Sequence, residues 1–308
     1  MILALRALGL GDLATAVPAL RGLRAAFPED PPAIAAPAAL TPLIDLIGGA
    51  GPVVPTDGLA PRPWHLPPPD VAVNLHGRGP ESHRLLRAAA PRKLWAFANA
   101  AAGHLDGPDW TDDEHEVHRW CRLLRHYGVP ADESDLGLAV PDRDVPHGVT
   151  IIHPGAKSAT RRWPAERFAA VARRLRDAGH RVLVTGSPAE RPLALRVAAG
   201  AGLDERAVPV TGLLDLAALV AHARLLISGD TGIAHLASAY RTPSVTLFGP
   251  MSPARWGPPD RPYHRTIWHG TRSEPGDRPG PPHPALLAIG EDEVLTAADE
   301  VLGRPDRG

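Results

Sequence analysis

The run Arg224-Leu225-Leu226-Ile227-Ser228-Gly229-Asp230-Thr231-Gly232-Ile233-Ala234-His235 decides the fold. Its apolar stretch, Leu225 to Ile227, has the length of a buried parallel strand. It breaks at Ser228-Gly229-Asp230, before Ile233, Leu236 and Ala237 begin a helical spacing. A strand, a tight turn and a helix N-terminus are therefore expected in succession. Asp230 or Thr231 can cap the helix, Gly232 lets a ligand approach the backbone, and the first-turn N–H groups suit a phosphate. An ordinary βα turn, in which Asp-Thr-Gly serves only as a cap, carries the same residues.

Outward from this run the second half of the chain alternates in the same way. Strands are expected at 149–153, 181–185, 207–210, 225–228 and 244–248, with helices near 165–178, 189–200, 214–222 and 232–239. Short apolar strands joined by helices of that length pair in parallel with right-handed crossovers, which gives a doubly wound sheet. Pro164 at a helix start and Gly179 at its end follow the usual capping asymmetry. Ligands gather where such strands end. After the first strand come His153-Pro154-Gly155-Ala156-Lys157 and then Arg161-Arg162-Trp163-Pro164; after the second come Gly186-Ser187-Pro188-Ala189-Glu190. Glu190 can accept two hydrogen bonds from a ribose diol, or complement a helix dipole in its first turn. Lys157 reads as a phosphate partner or a solvated loop lysine. His235, one turn after Thr231, suits a phosphate or structural hydrogen bond, and no second His or Cys stands at ligand spacing to make it a metal site.

The front half is less regular. Residues 2–5 form a strand, Gly9-Leu10-Gly11-Asp12 the loop after it, and Leu13, Ala16, Val17, Leu20, Leu23 and Phe27 recur at helical spacing, with Pro18 early enough to be tolerated. The third glycine of a dinucleotide fingerprint is missing. Asp12, at a strand's C-terminal edge, reads as a helix cap or as a carboxylate presented to a ligand. Weak strands are expected at 33–36 and 53–54, a short helix at 40–47, a surface loop at 61–69 and a clearer strand at 71–75. That strand leads into Asn74-Leu75-His76-Gly77-Arg78-Gly79 and a helix from about Pro80. His76, Arg78, Ser82 and His83 cluster at its exit, either to hold a polyhydroxylated or anionic acceptor or as solvated loop residues. The stripe Val117, Trp120, Leu124 and Tyr127 of an amphipathic helix over 114–127 belongs to the core. The polar segment 132–148 is the expected linker, 273–284 a flexible Pro/Gly segment, and 292–302 a last amphipathic helix.

Composition narrows the function classes. At 308 residues the chain is long for one domain and comfortable for two of about 150. With 33 basic and 34 acidic residues it has no global electrostatic footprint for nucleic acid or an anionic membrane. The single cysteine, Cys121, excludes an intrachain disulfide framework and fits a reducing compartment. Arg6 and Asp12 interrupt the apolar N-terminus, so it reads as a strand rather than a signal peptide, and no run approaches the roughly 20 apolar residues of a membrane span. A cytoplasmic, monomeric protein is expected, with at most peripheral membrane contact.

Three stretches carry a family resemblance. D-T-G-I-A-H with the following S-V-T-L-F-G-P (through Gly249 and Pro250) and M-S-P-A-R-W-G-P, the H-P-G-A and R-x-W-P pair, and G-L-G-D-L-A-T-A-V-P-A-L-R near the N-terminus resemble glycosyltransferase family 9, the ADP-heptose heptosyltransferases. The likeness is strong over 153–258, moderate over 1–27 and weak over 28–145. It departs from the family where Arg161 replaces the lysine before W-P. Arg keeps the charge and adds a fork but is not equivalent to Lys.

The resemblance implies an α/β GT-B fold with two Rossmann-like doubly wound domains facing a central cleft: 1–147 for the acceptor, 148–285 for the nucleotide sugar, and a C-terminal segment 286–308 packing across both. It implies an inverting, metal-independent transferase with no cofactor, moving heptose from ADP-heptose to a hydroxyl of a sugar-containing acceptor. Asp12 would be the general base and Arg161 would stabilise the leaving diphosphate. Gly11, His153, Gly155, Lys157, Glu190, Asp230, Thr231, Gly232, His235, Gly249 and Pro250 would bind the donor, and His76, Arg78 and His83 the acceptor. The D-x-D spacing Asp142-Arg143-Asp144, which metal-dependent glycosyltransferases use, lies in the linker and is not assigned as a metal site. A natural-product transferase with another nucleotide sugar, a sugar-nucleotide epimerase on the same scaffold and a non-catalytic sugar-nucleotide sensor are the alternatives.

Overall fold

The computed structural model describes residues 1–274 and 279–303. Part of the expected Pro/Gly segment, 275–278, and the last residues of the expected C-terminal segment, 304–308, lie outside the described residues. The chain divides into two compact units, Met1–Ala139 and Val140–Gly308. That division falls inside the expected linker, ahead of the expected boundary at 147.

The first unit contains strands β1 (Ile2–Leu5), β2 (Ala33–Ala36), β3 (Val53–Pro55), β4 (Val71–Asn74) and β5 (Lys93–Trp95), with helices α1 (Leu10–Ala26), α2 (Thr41–Asp45), α3 (Glu81–Arg87) and α4 (Glu116–His126). All pairings are parallel and the order is β3-β2-β1-β4-β5, so the topological switch lies between β1 and β4. Strands β1, β2 and β4 are buried along their whole length, as their apolar runs require when helices cover both faces. Helix α1 runs through Pro18, which stands well inside it rather than in its first turn. The proline costs one backbone hydrogen bond, which the burial of Leu13, Val17, Leu20 and Leu23 offsets. Strand β5 was not expected. It is a three-residue edge strand, half-exposed and opened by a lysine, and such an edge needs no apolar run.

The second unit contains β6 (Thr150–His153), β7 (Val182–Val184), β8 (Leu225–Gly229), β9 (Ser244–Phe248) and β10 (His264–Trp268). Its helices are α5 (Ala165–Asp177), α6 (Arg191–Gly200), α7 (Leu213–Ala221), α8 (Gly232–Tyr240), α9 (Pro253–Trp256), α10 (Pro284–Leu287) and α11 (Glu291–Gly303). This sheet is also parallel, in the order β10-β9-β8-β6-β7, with its switch between β6 and β8. Ile152, Ile227, Val245 and Leu247 turn to one core with Phe168, Val197 and Val294. On the other side α8 packs on β8 and β9 and against α7. Helix α11 packs on α5 and on β8, β9 and β10, all within this unit.

Two sequence expectations are corrected here. Residues 207–210 are not a strand: Pro209 has no N–H to give a ladder, Val210 is 81% exposed, and only Val208 reaches the core. The fifth strand is instead β10, in a stretch where no element was expected. It is an edge strand with only His264 and Ile267 buried, so its sequence shows little apolar character.

Candidate functional site

In the first unit, polar side chains collect where β1 and β4 end. Arg6 follows the last residue of β1 and is 1% exposed. Its Nε donates to the Asp12 carbonyl at 2.8 Å, its Nη1 to the Leu75 carbonyl at 2.5 Å and its Nη2 to Thr15 Oγ1 at 3.1 Å. The guanidinium lies over the Trp120 ring at 4.6 Å from the centroid. Two carboxylates balance the buried charge, Asp12 Oδ1 at 3.8 Å and Glu116 Oε2 at 3.9 Å. Burial pulls the Arg6 guanidinium below its ordinary range, and Asp12 and Glu116 oppose that pull.

Asp12 is the third residue of α1. Its Oδ2 accepts the Gly9 N–H at 3.2 Å, which satisfies a backbone donor at the helix start. Among the described residues Oδ1 accepts no hydrogen bond, and the side chain is 31% exposed. Gly11 sits beside it in the first turn. The residue therefore caps its helix with one oxygen, as one of the two sequence readings has it, while the other oxygen lies 3.8 Å from Arg6.

At the end of β4, buried Asn74 organises the loop. Its amide donates to Gly77 O at 3.0 Å and Ser82 Oγ at 2.9 Å, and its Oδ1 accepts the His76 N–H at 3.1 Å. His76 is half-buried, and among the described residues its buried Nδ1 has no hydrogen-bond partner. Burial, reinforced by Arg6 and opposed by Asp12, pushes its imidazole down to about 4, so it is neutral at pH 7. Arg78 is exposed, and its carbonyl accepts from Asn99 Nδ2 at 2.8 Å. The expected acceptor role of His83 is corrected. The residue is fully buried, Nε2 donates to Phe97 O at 2.9 Å, and Nδ1 faces Asn74 Nδ2 at 3.2 Å. Both ring nitrogens are occupied by the protein, so His83 is a core histidine.

In the second unit the corresponding edge is formed by β6, β7, β8 and β9. His153 ends β6 and is 7% exposed, with Nδ1 at 2.9 Å from Thr185 Oγ1. Burial pushes its imidazole down to about 4, against the opposing charge of Glu190. Glu190 Oε2 accepts the Ser187 N–H at 2.9 Å and its hydroxyl at 2.7 Å. Burial raises the Glu190 pKa, but the two bonds from Ser187, with His153 and Arg162, outweigh it and leave the carboxyl below its ordinary value. Gly155 passes so close that an added Cβ would lie 2.3 Å from Glu190 Oε1. Lys157 is exposed on the loop that follows.

Arg161 joins that loop to the turn after β8. Its Nη2 donates to the Asp230 carboxylate at 2.8 Å and to the Asp230 carbonyl at 2.5 Å. Asp230 is 5% exposed and its N–H donates to Leu247 O at 3.0 Å. Asp230 thus pairs with Arg161 instead of capping α8. Thr231 is the cap residue, in extended backbone geometry, and its side chain makes no cap hydrogen bond. Gly232 opens the helix, whose first-turn N–H groups end at this loop. His235, one turn on, meets the Trp256 ring edge to face at 6.0 Å between centroids. Trp163 of the R-x-W-P run is 1% exposed and donates Nε1 to Ile289 O at 3.2 Å, which anchors the loop to the core. Gly249 is occupied by packing: an added Cβ would lie 2.8 Å from Leu286 Cδ1, and its carbonyl accepts from Trp268 Nε1 at 3.0 Å. Pro250 is buried, and its carbonyl accepts the Glu274 N–H at 2.7 Å.

Arg143 of the D-x-D run pairs with Asp215 Oδ1 at 3.6 Å. Among the described residues no group of three or more His, Cys, Asp or Glu side chains is arranged to hold a metal ion, and no helix is long and apolar enough to cross a membrane.

The family model of glycosyltransferase family 9 (heptosyltransferase) matches residues 107–274, more than half of the chain. The chain belongs to glycosyltransferase family 9. It is 35% identical over 152 residues to lipopolysaccharide heptosyltransferase 1 of Pseudomonas aeruginosa, covering 47% of this chain and 42% of that one. The chain spans about half the length of the curated relatives it matches. The structure of E. coli ADP-heptose lps heptosyltransferase II superposes with a TM-score of 0.78 at 20% identity, covering 98% of each chain. That of E. coli heptosyltransferase WaaC with ADP gives 0.71 at 19% identity, covering 97% of this chain and 99% of the other. At those identities the likeness shows the fold, an α/β fold of the GT-B type.

For this family 9 chain, sequence reasoning missed Arg6, Glu116 and Asn74 as parts of the site. Arg6 directly after an apolar strand was the available signal, because a charge at that position must be buried, paired or turned to a ligand.

Proposed function

We propose that this family 9 chain transfers heptose from ADP-L-glycero-β-D-manno-heptose to a hydroxyl of a sugar-containing acceptor, with inversion and without a metal ion. The observation that carries the reading is Asp12, with one carboxylate oxygen held by the Gly9 N–H at 3.2 Å and the other presented at the end of β1. A carboxylate oriented in this way can take a proton without losing its place in the helix.

In the proposed reaction the acceptor oxygen attacks the anomeric carbon as the bond from that carbon to the diphosphate oxygen breaks. The hydroxyl proton passes to Asp12, and the nucleoside diphosphate leaves with the electron pair. Base assistance of this kind contributes about 10²- to 10⁴-fold. The first-turn N–H groups of α8, with Arg161 beside them, would receive the diphosphate charge. Fixed donors aimed at developing charge contribute on a similar scale, about 10²- to 10³-fold each. His153 is neutral because it is buried and Glu190 is ionised because Ser187 holds it. As a pair they offer a polar seat for the nucleoside. One structural neighbour, E. coli heptosyltransferase WaaC, is seen with ADP, which supports adenosine as the base. A cytoplasmic reaction is part of this reading.

The test is turnover of ADP-L-glycero-β-D-manno-heptose, read as ADP release, with the anomeric configuration of the product read by NMR and the rate compared with and without EDTA. Asp12→Asn is expected to lower kcat by about 10²-fold or more while ADP affinity by calorimetry stays unchanged. Undiminished turnover in that variant removes Asp12 from the base role.

A further inference from the structure

We propose that Arg6 is a positioning residue for the transfer, its buried guanidinium fixing the direction of the Asp12 carboxylate. The inference rests on the reading of Asp12 as the base.

The three guanidinium nitrogens of Arg6 bond three acceptors on two segments. One takes the Asp12 carbonyl in the first turn of α1, one Thr15 Oγ1 a turn later, and one the Leu75 carbonyl just beyond β4. A single rigid plane therefore joins the end of β1, the start of α1 and the exit of β4, the three segments that meet at the topological switch. All three acceptors are neutral. The Asp12 carboxylate approaches no closer than 3.8 Å, so Arg6 balances its charge without occupying its lone pairs. The second counter-charge, Glu116, is 5% exposed, stands 3.9 Å from Arg6 and accepts from Trp120 Nε1 at 3.1 Å and from Arg119 Nη1. Trp120 covers one face of the guanidinium. Stability alone does not require this arrangement, since an apolar side chain of similar volume would avoid the desolvation of two charges. The arrangement does hold the backbone of Asp12 against the strand while leaving Oδ1 open. A lysine would keep the charge but could not reach three acceptors in one plane.

Three variants test this: Arg6→Lys, the double variant Arg6→Met/Glu116→Gln, which removes both charges and leaves Arg119 with the Glu114 carboxylate at 3.7 Å, and Asp12→Asn as the control. Turnover is read as ADP release from ADP-L-glycero-β-D-manno-heptose, to water and to a pool of bacterial oligosaccharides. Folding is read by circular dichroism and ADP binding by calorimetry. Both Arg6 variants are expected to bind ADP with Kd and donor KM within about twofold of the parent, while kcat per binding-competent molecule falls at least about tenfold. A purely structural role would lower the melting temperature and the binding-competent fraction but leave kcat per competent molecule unchanged, and that result overturns the proposal. If Arg6→Lys does not fold, the double variant decides. If neither folds, Thr15→Val, which removes one of the three acceptors, decides: a fall in kcat with ADP Kd unchanged supports the proposal, and parental kcat overturns it. Turnover retained in Asp12→Asn would fail the base reading and this inference together. An inactive Asp12→Asn beside fully active Arg6 variants would fail this inference alone.

Discussion

Gly155 stands where any side chain would meet the carboxyl group of Glu190. An added Cβ would lie 2.3 Å from Oε1 and 2.4 Å from Cδ, well inside van der Waals contact. The obstacle in Gly155→Ala is the end of a flexible side chain, so the Glu190 carboxyl is expected to swing away while the backbone keeps its course. That movement breaks the bonds from the Ser187 N–H and hydroxyl, at 2.9 and 2.7 Å. Hydrogen bonds to a charged group contribute about 1.5–3 kcal/mol each when buried. Glu190 is half-buried and Ser187 exposed, so water recovers much of this. The net stability loss should be about 1 kcal/mol, the usual scale of a lost N-terminal cap.

The effect on binding should be larger. If Glu190 accepts the ribose hydroxyls, displacing it removes charge-assisted bonds of about 1.5–3 kcal/mol, so the Kd for ADP should rise by about tenfold to a hundredfold. Calorimetric titration with ADP and thermal denaturation measure the two effects separately. The double variant Gly155→Ala/Glu190→Ala isolates the cause, because without the Glu190 carboxyl the added methyl group has nothing to displace. Its Kd should match that of Glu190→Ala alone, the non-additivity expected of residues in contact. Parental ADP affinity in Gly155→Ala, with Glu190 seen displaced in a crystal structure of the variant, would refute the ribose role. An undiminished effect of Gly155→Ala after removal of Glu190 would refute the contact.

Two further expectations concern stability. His153, His264 and His76 are each pushed by burial from 6.5 down to about 4, so the native state holds them neutral while the unfolded chain takes up protons below about 6.5. Stability should be fully present above pH 6.5 and lost as pH falls toward 4, on the order of 3 kcal/mol per fully buried imidazole. Urea unfolding at stepped pH measures this, and His264→Asn, which removes one titrating ring, should make the decline shallower; a midpoint constant from pH 7 to 4.5 would contradict it. Gly249→Ala places a methyl carbon 2.8 Å from Leu286 Cδ1 in the core, so it should cost about 1–3 kcal/mol of stability with ADP affinity unchanged. Weaker ADP binding at parental stability would instead return Gly249 to the donor site.

The strands read most directly in the sequence were those buried on both faces, because such a strand must be apolar throughout, although the edge strands β3 and β7 were expected too. The runs 2–5, 225–228 and 244–248 read directly as β1, β8 and β9, β8 running one residue further to Gly229. Strands β5 and β10 escaped for the converse reason. At a sheet edge one face meets water, so Lys93 and the alternation of His264, Arg265 and Thr266 carry no run to read. Residues 207–210 misled because Val208 and Val210 look alike on paper, while Pro209 denies them a ladder.

The site divides along a different line. Residues at strand ends were legible because topology alone delivers them there, as with Asp12, His153 and Asp230. What a side chain does once delivered depends on partners remote in sequence, and the two histidines after β4 make the point. His76 and His83 lie in the same short polar cluster and read alike. The Phe97 carbonyl and the Asn74 amide fill both ring nitrogens of His83 and turn it into core, whereas Nδ1 of His76 finds no partner among the described residues. Arg6 is the same lesson with a charge. Read along the chain it interrupts an apolar strand, and partners remote in sequence, Leu75 and, on α4, Glu116 and Trp120, join Asp12 and Thr15 in making its burial possible. Local pattern therefore locates a group at this edge, and the count of its filled donors and acceptors decides whether that group is left over for a substrate.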